Sequence, residues 1–333
     1  MKKVLSLILA LAMVFALAAC GEKQPSNDGN TDGDKSARGN VIMTFGTADT
    51  GGSMYPAGAA VSQVWTNNVE GVKCNTQTST GSFQNCQDVS TGEVDVAVAT
   101  SDVVLNAYNG TGKFADIGKL DNLRVIGAVY TSVLSGVALK SSGLTYIHDL
   151  LGKRVAVGPA ASATENATLA AFAAMDITKD NTSLENLGLG DGADSVGDGI
   201  LDAAFGFAGL PIGGQLNLAA TKEIQVLDMT QEEIDKVLAG NAAYIQTTIP
   251  AGTYTGQTET TNTFGVKCLI IVTADMDADL VYDLCKAMNE HTEELAAGNA
   301  LLKDMTDPSF LCTQMPIPLH DGAQKYYSEQ GLI

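Results

Sequence analysis

Short apolar runs alternate with helix-like segments from residue 41 onward. Residues 41–46, 72–78 and 94–99 have the apolar, β-branched composition of buried strands. Each run ends in a turn rich in Gly, Ser and Thr, and a segment of helical character follows it. A strand, a polar turn and a helix in succession predict a mainly parallel α/β sheet. The helices predicted after these turns cover 57–67, 83–91 and 103–108.

The same alternation continues in the second half of the chain. The turns at 158–165 and 208–211 lead into predicted helices that end near 175 and 220. The segment 277–297 has apolar residues on one helical face, which predicts a core helix. The glycine-rich stretch 188–192 lacks the dinucleotide-binding spacing, so we predict a loop there. Further strands are predicted at 123–130, 136–140, 152–157, 203–207, 224–227 and 266–273.

The region 41–333 is longer than a typical single hydrophobic core, which predicts two lobes. The strongly apolar run at 266–273 predicts a buried strand, and we expect this strand to return the chain to the first lobe. We therefore expect residues 41–135 and 250–333 to form lobe 1 and residues 136–249 to form lobe 2, with a hinge between them.

The N-terminus has the pattern of an export signal. Two lysines precede an apolar run at 4–19, which is shorter than a membrane-spanning helix requires. Leu17-Ala18-Ala19-Cys20 resembles the bacterial lipobox, which implies removal of 1–19 and attachment of lipid to Cys20. An ordinary signal with a chance cysteine is the alternative. Residues 20–40 are rich in Gly, Asp, Asn and Ser and are expected to be a flexible tether. The predicted location is extracytoplasmic, lipid-anchored to the cell membrane of either envelope type.

Charge and cysteine content narrow the function. The formal net charge is −19, which excludes nucleic-acid binding through a basic surface. With Cys20 lipidated, the odd number of remaining cysteines leaves at least one unpaired; we expect small buried thiols, and one disulfide is the open alternative. No spacing typical of a zinc site occurs, so we expect no metal. The remaining cysteines are Cys74, Cys86, Cys268, Cys285 and Cys312.

Motifs of catalysis are missing from the sequence. It contains no Gly-x-Ser-x-Gly elbow, complete phosphate-binding loop, His-Glu-x-x-His or Ser-x-x-Lys. The histidines His148, His291 and His320 do not form a pattern that predicts a general base or metal site. We therefore expect neither an enzyme nor a bound cofactor.

The turns are candidates for an anion site. Ligands of open parallel sheets bind beyond the carboxyl ends of the strands, where helix N-termini offer unpaired N–H groups and partial positive charge. Arg38, Arg124 and Arg154 lie away from these turns, and Lys73 is the only basic residue between 41 and 112. An anion would therefore be held by amides and hydroxyls. The alternative is that the turn residues only cap helices, and Asp102 could be a cap or could accept a ligand ammonium group.

Several ordered segments resemble the TAXI family, the TRAP-associated extracytoplasmic immunogenic proteins. The resemblance spans most of 41–333. Its matching segments are Phe45-Gly46-Thr47 with Gly51-Gly52-Ser53-Met54-Tyr55-Pro56, Gly81-Ser82-Phe83-Gln84-Asn85, Gly92-Glu93-Val94-Asp95-Val96-Ala97 with Ser101-Asp102, Leu150-Leu151-Gly152-Lys153-Arg154-Val155, Gly158-Pro159-Ala160-Ala161-Ser162-Ala163-Thr164-Glu165, Asp202-Ala203-Ala204-Phe205 with Gly209-Leu210-Pro211, and Ile249-Pro250-Ala251-Gly252-Thr253-Tyr254.

The resemblance implies a two-lobed type II periplasmic-binding-protein fold with a mainly parallel sheet in each lobe. It also implies a monomer that binds a small carboxylate such as glutamate or glutamine and delivers it to ion-coupled TRAP permease subunits. Where the family tends to have Gly-Ser-Gly-Thr, this chain has Ala161-Ser162-Ala163-Thr164, so its ligand can differ. By matched position, the expected ligand contacts are Gly52, Ser53, Tyr55, Thr80, Gly81, Ser82, Ser101, Ser162, Ala163, Thr164, Gly209 and Pro211.

We expect the Ser162–Thr164 turn to receive the carboxylate while the first-lobe turns close over it. Alternatives are the same fold in an ATP-driven (ABC) importer, a sensor lipoprotein that presents its ligand to a receptor, and a secreted enzyme. The sequence leaves open the ligand identity and the coupling ion.

Overall fold

The computed structural model describes residues 39–48, 50, 52–160 and 162–333. The predicted signal, the lipidation site at Cys20 and the tether up to residue 38 lie outside these ranges. No helix within them is both long and apolar enough to cross a membrane.

Ten strands form one sheet in the order β2-β1-β3-β10-β4-β7-β5-β6, with β8 paired to β4 and β9 to β10. The outer pairs β1–β2, β1–β3, β5–β6 and β5–β7 are parallel, whereas β4 and β10 pair with all their neighbours antiparallel. The strands are β1 Val41–Gly46, β2 Val72–Gln77, β3 Val96–Thr100, β4 Leu123–Leu139, β5 Arg154–Ala156, β6 Ser183–Glu185, β7 Ala203–Ala208, β8 Ile224–Leu227, β9 Ile245–Ile249 and β10 Thr261–Thr273.

The helices cover the sheet and follow most of its strands. They are α1 Met54–Asn68, α2 Ser82–Thr91, α3 Ser101–Asn109, α4 Ala163–Ala174, α5 Leu189–Gly197, α6 Gly213–Thr221, α7 Gln231–Gly240, α8 Ala278–Glu290, α9 Thr292–Gly298, α10 Pro308–Cys312 and α11 Asp321–Glu329. Short 3₁₀ helices occupy Gly112–Phe114, Lys140–Ser142, Ile147–Leu150 and Ala300–Thr306.

Two lobes share the sheet, and each has its own apolar cores. In lobe 1, the helices α1, α8 and α11 pack on one face of β1, β3 and β10, and α2 and α3 pack on the other. In lobe 2, the helices α4 and α7 lie on one face of β7, and α5 and α6 lie on the other. Only β4 and β10 are long enough to contribute to the cores of both lobes. The predicted fold class is confirmed; the exact lobe boundaries stay predictions.

The crossing strand β4 differs from its prediction as two strands. The polar residues Thr131 and Ser132 lie between the predicted strands 123–130 and 136–140. In the structure both residues continue the ladder, opposite Lys267 and Val266 of β10. Side-chain polarity therefore does not interrupt a strand whose backbone is paired, and β4 is continuous through the junction of the lobes.

Two further predictions were wrong in detail. The glycine-rich stretch 188–192 is not a loop but the start of α5. A Cβ at Gly192 would lie 3.0 Å from the Cβ of Ala156 and 3.4 Å from that of Ala204. The glycine thus lets α5 approach β5 and β7 closely. The predicted helix 277–297 is interrupted at His291, where the backbone leaves helical geometry between α8 and α9.

The five cysteines of the described region are free thiols with buried side chains. Burial raises the pKa of each, for example that of Cys74 to about 11. A protonated, buried thiol is a poor nucleophile and behaves as a small apolar side chain. The expectation of buried thiols is confirmed.

Candidate functional site

The turns after β1, β2 and β3 are tied together in lobe 1. The Thr47 carbonyl oxygen accepts hydrogen bonds from Ser79 Oγ at 2.7 Å and from Asn85 Nδ2 at 2.6 Å. Ser82 Oγ accepts a bond from the Thr100 backbone N–H at 3.1 Å. The ends of three neighbouring strands are therefore held at one edge of the sheet, as the strand–turn–helix pattern predicts.

The helices that begin at this edge of lobe 1 have no side-chain caps. Ser53, Gly81 and Thr100 are the N-cap residues of α1, α2 and α3, and none of their side chains bonds to the first turn. The alternative that the turn residues only cap helices therefore does not hold for Ser53. Gly81 has a φ of 110°, a conformation that favours glycine. The starts of α1 and α2 therefore keep N–H groups and a partial positive charge that no N-cap side chain satisfies. At α3 the Asp102 carboxylate accepts hydrogen bonds from the backbone N–H groups of Asp102 and Val103 in the first turn.

Lobe 2 presents a different turn after β5. Ser162 caps α4, its Oγ accepting a bond from the Glu165 N–H at 3.1 Å. Thr164 is 5% exposed, and its Oγ1 accepts a bond from the Phe207 N–H at 3.2 Å. A hydroxyl that accepts one bond keeps its own hydrogen for donation. Both hydroxyls can therefore still donate to an anion while they hold the turn in place.

The turn after β7 approaches the first turn of lobe 1. Gly209 is buried, and a Cβ built on it would lie 3.4 Å from Ser53 Oγ and would overlap Leu301 Cδ1. The absence of a Cβ at Gly209 therefore lets Leu301 pack against this turn, and Ser53 Oγ lies at ordinary contact distance from the same position. The Leu210–Pro211 peptide bond that follows is cis.

Side chains also cross between the lobes around α3. Ser101 Oγ donates to the Ala243 carbonyl oxygen at 3.4 Å, and the Tyr244 hydroxyl donates to Asp102 Oδ2 at 3.4 Å. Lys113 Nζ lies 3.2 Å from Glu165 Oε2 on α4. The lobes are thus in contact on the side of the sheet where the strand-end turns lie.

A cavity of about 340 Å³ lies between these contacts. This volume is within the range of pockets that hold small molecules. None of the twelve residues expected to contact a ligand lines it, although Phe83, Asp102 and Asn166 belong to the first turns of helices that begin at expected residues. Its other lining residues are Val103, Asn106, Gly112, Lys113, Phe114, Asn241 and Tyr244.

Asp102 is the one carboxylate among the lining residues of this cavity. It is 2% exposed, and its Oδ1 has no hydrogen-bond partner among the described residues. Burial raises the pKa of the Asp102 carboxyl, and hydrogen bonds from the Thr100 and Tyr244 side chains lower it by less. A buried carboxylate with a free oxygen is costly unless something pairs with it.

The arginines of the described region are occupied elsewhere. Arg124 donates to the carbonyl oxygens of Asp121 and Leu123, and Arg154 forms an ion pair with Asp202 at 2.9 Å. Both arginines lie near the amino ends of their strands, opposite the turns. No group of three or more His, Cys, Asp or Glu side chains in the described ranges is placed to hold a metal ion.

The expected contact residues are only partly brought together. Ser53 lies near Gly209, Ser82 contacts the residue before Ser101, and Thr164 is bonded to the end of β7. Thr80 is exposed, with its hydroxyl bonded to Gln84 Oε1 at 2.9 Å. The half-buried members are Gly52, Tyr55, Gly81, Ser162 and Ala163, and Pro211 is exposed.

Sequence reasoning missed several polar residues of the cavity. Lys113 follows α3 on the 3₁₀ helix Gly112–Phe114, and Asn241 and Tyr244 lie between α7 and the antiparallel strand β9. None of them follows a parallel strand, so the rule that locates sites at strand ends does not find them. Asn106 and Asn166 lie on helices, where their sequence pattern is that of ordinary surface residues.

Comparison with known proteins gives a family and a fold. The sequence profile described as the NMT1-like family matches residues 45–331. The PhnD1 structure from Prochlorococcus marinus (MIT 9301), in complex with methylphosphonate, is similar with a TM-score of 0.54 and 10% identity, over 88% of this chain and 99% of that one.

Two other solved structures give lower scores. The alkanesulfonate-binding protein SsuA from Xanthomonas axonopodis pv. citri, bound to MOPS, has a TM-score of 0.49 and 14% identity over 88% of this chain and 85% of that one. A putative L-cystine ABC transporter protein from Listeria monocytogenes has a TM-score of 0.47 and 16% identity over 78% of this chain and 95% of that one.

Proposed function

This chain belongs to the NMT1-like family, and we propose that it is an extracytoplasmic solute-binding protein that captures a small carboxylate between its lobes. Glutamate and glutamine represent the size and chemistry of the proposed ligand. The fold shared with PhnD1, whose structure contains methylphosphonate, supports binding of a small anion in this architecture. Delivery to an ion-coupled TRAP-type transporter, and attachment to the membrane through lipid on Cys20, are parts of the same proposal.

One observation carries the proposal. Helix starts without side-chain caps in lobe 1 lie on the side of the sheet where lobe 2 contributes the Ser162 and Thr164 hydroxyls and the Gly209 backbone. Such groups bind a carboxylate without arginine, because backbone N–H groups and helix dipoles supply the positive charge.

In the proposed complex, the Ser162 and Thr164 hydroxyls donate to the ligand carboxylate. The Ser53 and Gly81 turns close on the ligand from lobe 1. Exclusion of water strengthens each of these polar contacts. Lys113, which already spans the lobes through Glu165, adds a positive charge at the edge of the cavity. Bending within β4 and β10 provides the hinge for closure.

Isothermal titration calorimetry against mono- and dicarboxylates and their α-amino counterparts tests ligand capture. We expect one or more of these compounds to bind the wild type. The double variant Ser162→Ala/Thr164→Val should lower the affinity by about 1–3 kcal/mol if both hydroxyls donate to a charged group. Ser195→Ala is the matched control, since the hydroxyl of this half-buried lobe 2 serine on α5 donates to the Asp191 carbonyl oxygen and lies outside the proposed site. Equal affinities of the double variant and the wild type would remove this turn from the site.

Uptake measurements test the transporter class. In cells that accumulate the ligand through this protein, collapse of the ion gradient at constant ATP should abolish uptake by a TRAP-type partner. Uptake that survives this treatment and stops when ATP is depleted would instead identify an ABC importer. Uptake unaffected by deletion of the permease would indicate the sensor alternative.

Replacing Cys20 with Ser should release the protein from the membrane fraction, as detected by fractionation.

A further inference from the structure

The cavity between the lobes contains a negative group that an anion site does not require. Asp102 is at the second residue of α3, and its carboxylate is 2% exposed. Oδ2 is reached by the Tyr244 hydroxyl at 3.4 Å, a long hydrogen bond, and Oδ1 has no partner among the described residues. Burial raises the pKa of the Asp102 carboxyl, and hydrogen bonds from the Thr100 side chain and from the backbone N–H groups of Val103 and Asp102 lower it by less. No cationic side chain in the described part of the chain forms an ion pair with it. A carboxylate buried in this way for packing alone would destabilise the fold.

The neighbours of Asp102 favour a donor-rich, positively charged occupant. Asn106, Asn166 and Asn241 line the same cavity. The amide oxygens of Asn106 and Asn241 each accept one hydrogen bond within the protein, and an amide oxygen has a second lone pair for a ligand donor. Lys113 also lines it, but its ammonium group is paired with Glu165 at 3.2 Å. Asp102 and these asparagines line one cavity, so a small occupant of the cavity lies beside the Asp102 side chain.

We propose that this cavity is a subsite for a primary ammonium group, which donates hydrogen bonds to Asp102 while the ligand carboxylate binds at the neighbouring helix starts. The ligand is then a zwitterion, and Asp102 is the residue that distinguishes it from a plain carboxylate. This inference rests on the proposed function. Because Tyr244 belongs to lobe 2 and Asp102 to lobe 1, an ammonium group bound here also joins the two lobes.

The test compares ligands that differ only in the amine. L-Glutamate and glutarate carry the same two carboxylates, and calorimetry on both is carried out with the wild type, Asp102→Asn and Tyr244→Phe. Asn keeps the shape of Asp and removes its charge. Asp121→Asn is the control for net charge, because Asp121 is exposed and outside the cavity. L-Glutamine with its deaminated counterpart glutaramate provides a second pair. Circular dichroism and thermal unfolding establish that each variant is folded.

We expect the wild type to prefer an amino compound to its deaminated partner, and Asp102→Asn to lose about tenfold or more of its affinity for the amino compound alone. Tyr244→Phe should also reduce the preference for the amino compound over its deaminated partner, but by a smaller factor. If Asp102→Asn does not fold, the result with Tyr244→Phe tests the subsite. An unchanged preference in the folded variants would overturn the subsite. Binding of glutarate as tight as that of glutamate by the wild type would overturn it while leaving the proposed function intact. If no carboxylate binds at all, the proposed function fails and the subsite with it.

Discussion

The helix starts that follow β1, β2 and β3 in lobe 1 are completed differently from the one that follows β5 in lobe 2. In lobe 1, α1, α2 and α3 begin without side-chain caps, and their N-cap residues are Ser53, Gly81 and Thr100. In lobe 2, Ser162 caps α4 and Thr164 holds the Phe207 N–H of β7. The hydroxyls of the lobe 2 turn therefore complete its helix start, whereas the side chains that hold the first-lobe turns together leave the starts of α1 and α2 without a cap.

This difference allows the effect of a hydroxyl on the free energy of unfolding to be distinguished from its effect on ligand affinity. A hydroxyl that completes the fold cannot be removed without loss of stability, whatever its role in a site. A hydroxyl that makes no internal bond can be removed from the folded protein at little cost. Substitutions in the two lobes should consequently give different combinations of stability and affinity.

The largest effect is expected for Thr164→Val. Valine has nearly the shape of threonine but cannot accept the hydrogen bond from the Phe207 N–H, which is buried. An unsatisfied buried donor costs about 1–3 kcal/mol in the free energy of unfolding. Urea denaturation measures this change. Thr164→Ser, which keeps the acceptor, should retain more of the stability, and equal losses for the two variants would show that the methyl group, not the hydroxyl, matters.

Ser162→Ala should have the next largest effect. Loss of the bond to the Glu165 N–H removes the cap of α4, at a cost of about 1 kcal/mol. Ser162→Asp replaces the cap but adds a negative charge beside the proposed carboxylate. Denaturation should therefore show near wild-type stability for Ser162→Asp, while calorimetry shows weaker anion binding than for Ser162→Ala. Tighter anion binding by Ser162→Asp would contradict the proposed position of the carboxylate.

The parallel units of the fold were predictable because their signals are local. Each of β1, β2 and β3 is followed directly in the sequence by its turn and its helix. The predicted strands match β1 and β3 closely. The start of α5 at 189 was not predictable in this way, because the reason for Gly192 is its contact with Ala156 of β5 and Ala204 of β7. The continuity of β4 past Thr131 also depends on pairing with a strand more than 100 residues away.

The candidate site shows the same limit. The turns at Ser53 and Ser162 were found because they follow predicted strands. The contact of Gly209 with Leu301 and the bond from Tyr244 to Asp102 join residues that are distant in the sequence. Whether a serine before a helix caps it also depends on backbone geometry: Ser53 has helical torsion angles, whereas Ser162 is extended as capping requires.

The two lobes also contain carboxylates with opposite pH behaviour. Burial raises the pKa of Asp102, so the folded protein holds this proton more tightly than the unfolded chain does, and the group destabilises the fold as pH rises above its unfolded pKa. Hydrogen bonds from Arg154 lower the pKa of Asp202, which therefore stabilises the fold above its unfolded pKa and loses this contribution as pH falls.

Denaturation of Asp102→Asn and Asp202→Asn from pH 3 to pH 8 tests this contrast. Relative to the wild type, we expect Asp102→Asn to gain stability with rising pH, because it removes a buried charge. Asp202→Asn should lose stability over the same interval. The contrast fails if the difference in the free energy of unfolding between each variant and the wild type does not change with pH. Each carboxyl would then have the same pKa in the folded and the unfolded chain.

The smallest change in stability is expected for Ser53→Ala. Ser53 Oγ makes no capping bond to α1, so its removal should alter the free energy of unfolding by less than about 0.5 kcal/mol. Its proximity to Gly209 nevertheless places it between the lobes, where a hydroxyl that reaches the ligand would contribute to closure. Paired denaturation and calorimetry should therefore show weaker ligand binding at unchanged stability, the reverse of a purely structural cap. A loss of stability as large as that of Ser162→Ala would instead mean that the two lobes complete their helix starts alike, and the distinction between them would fail.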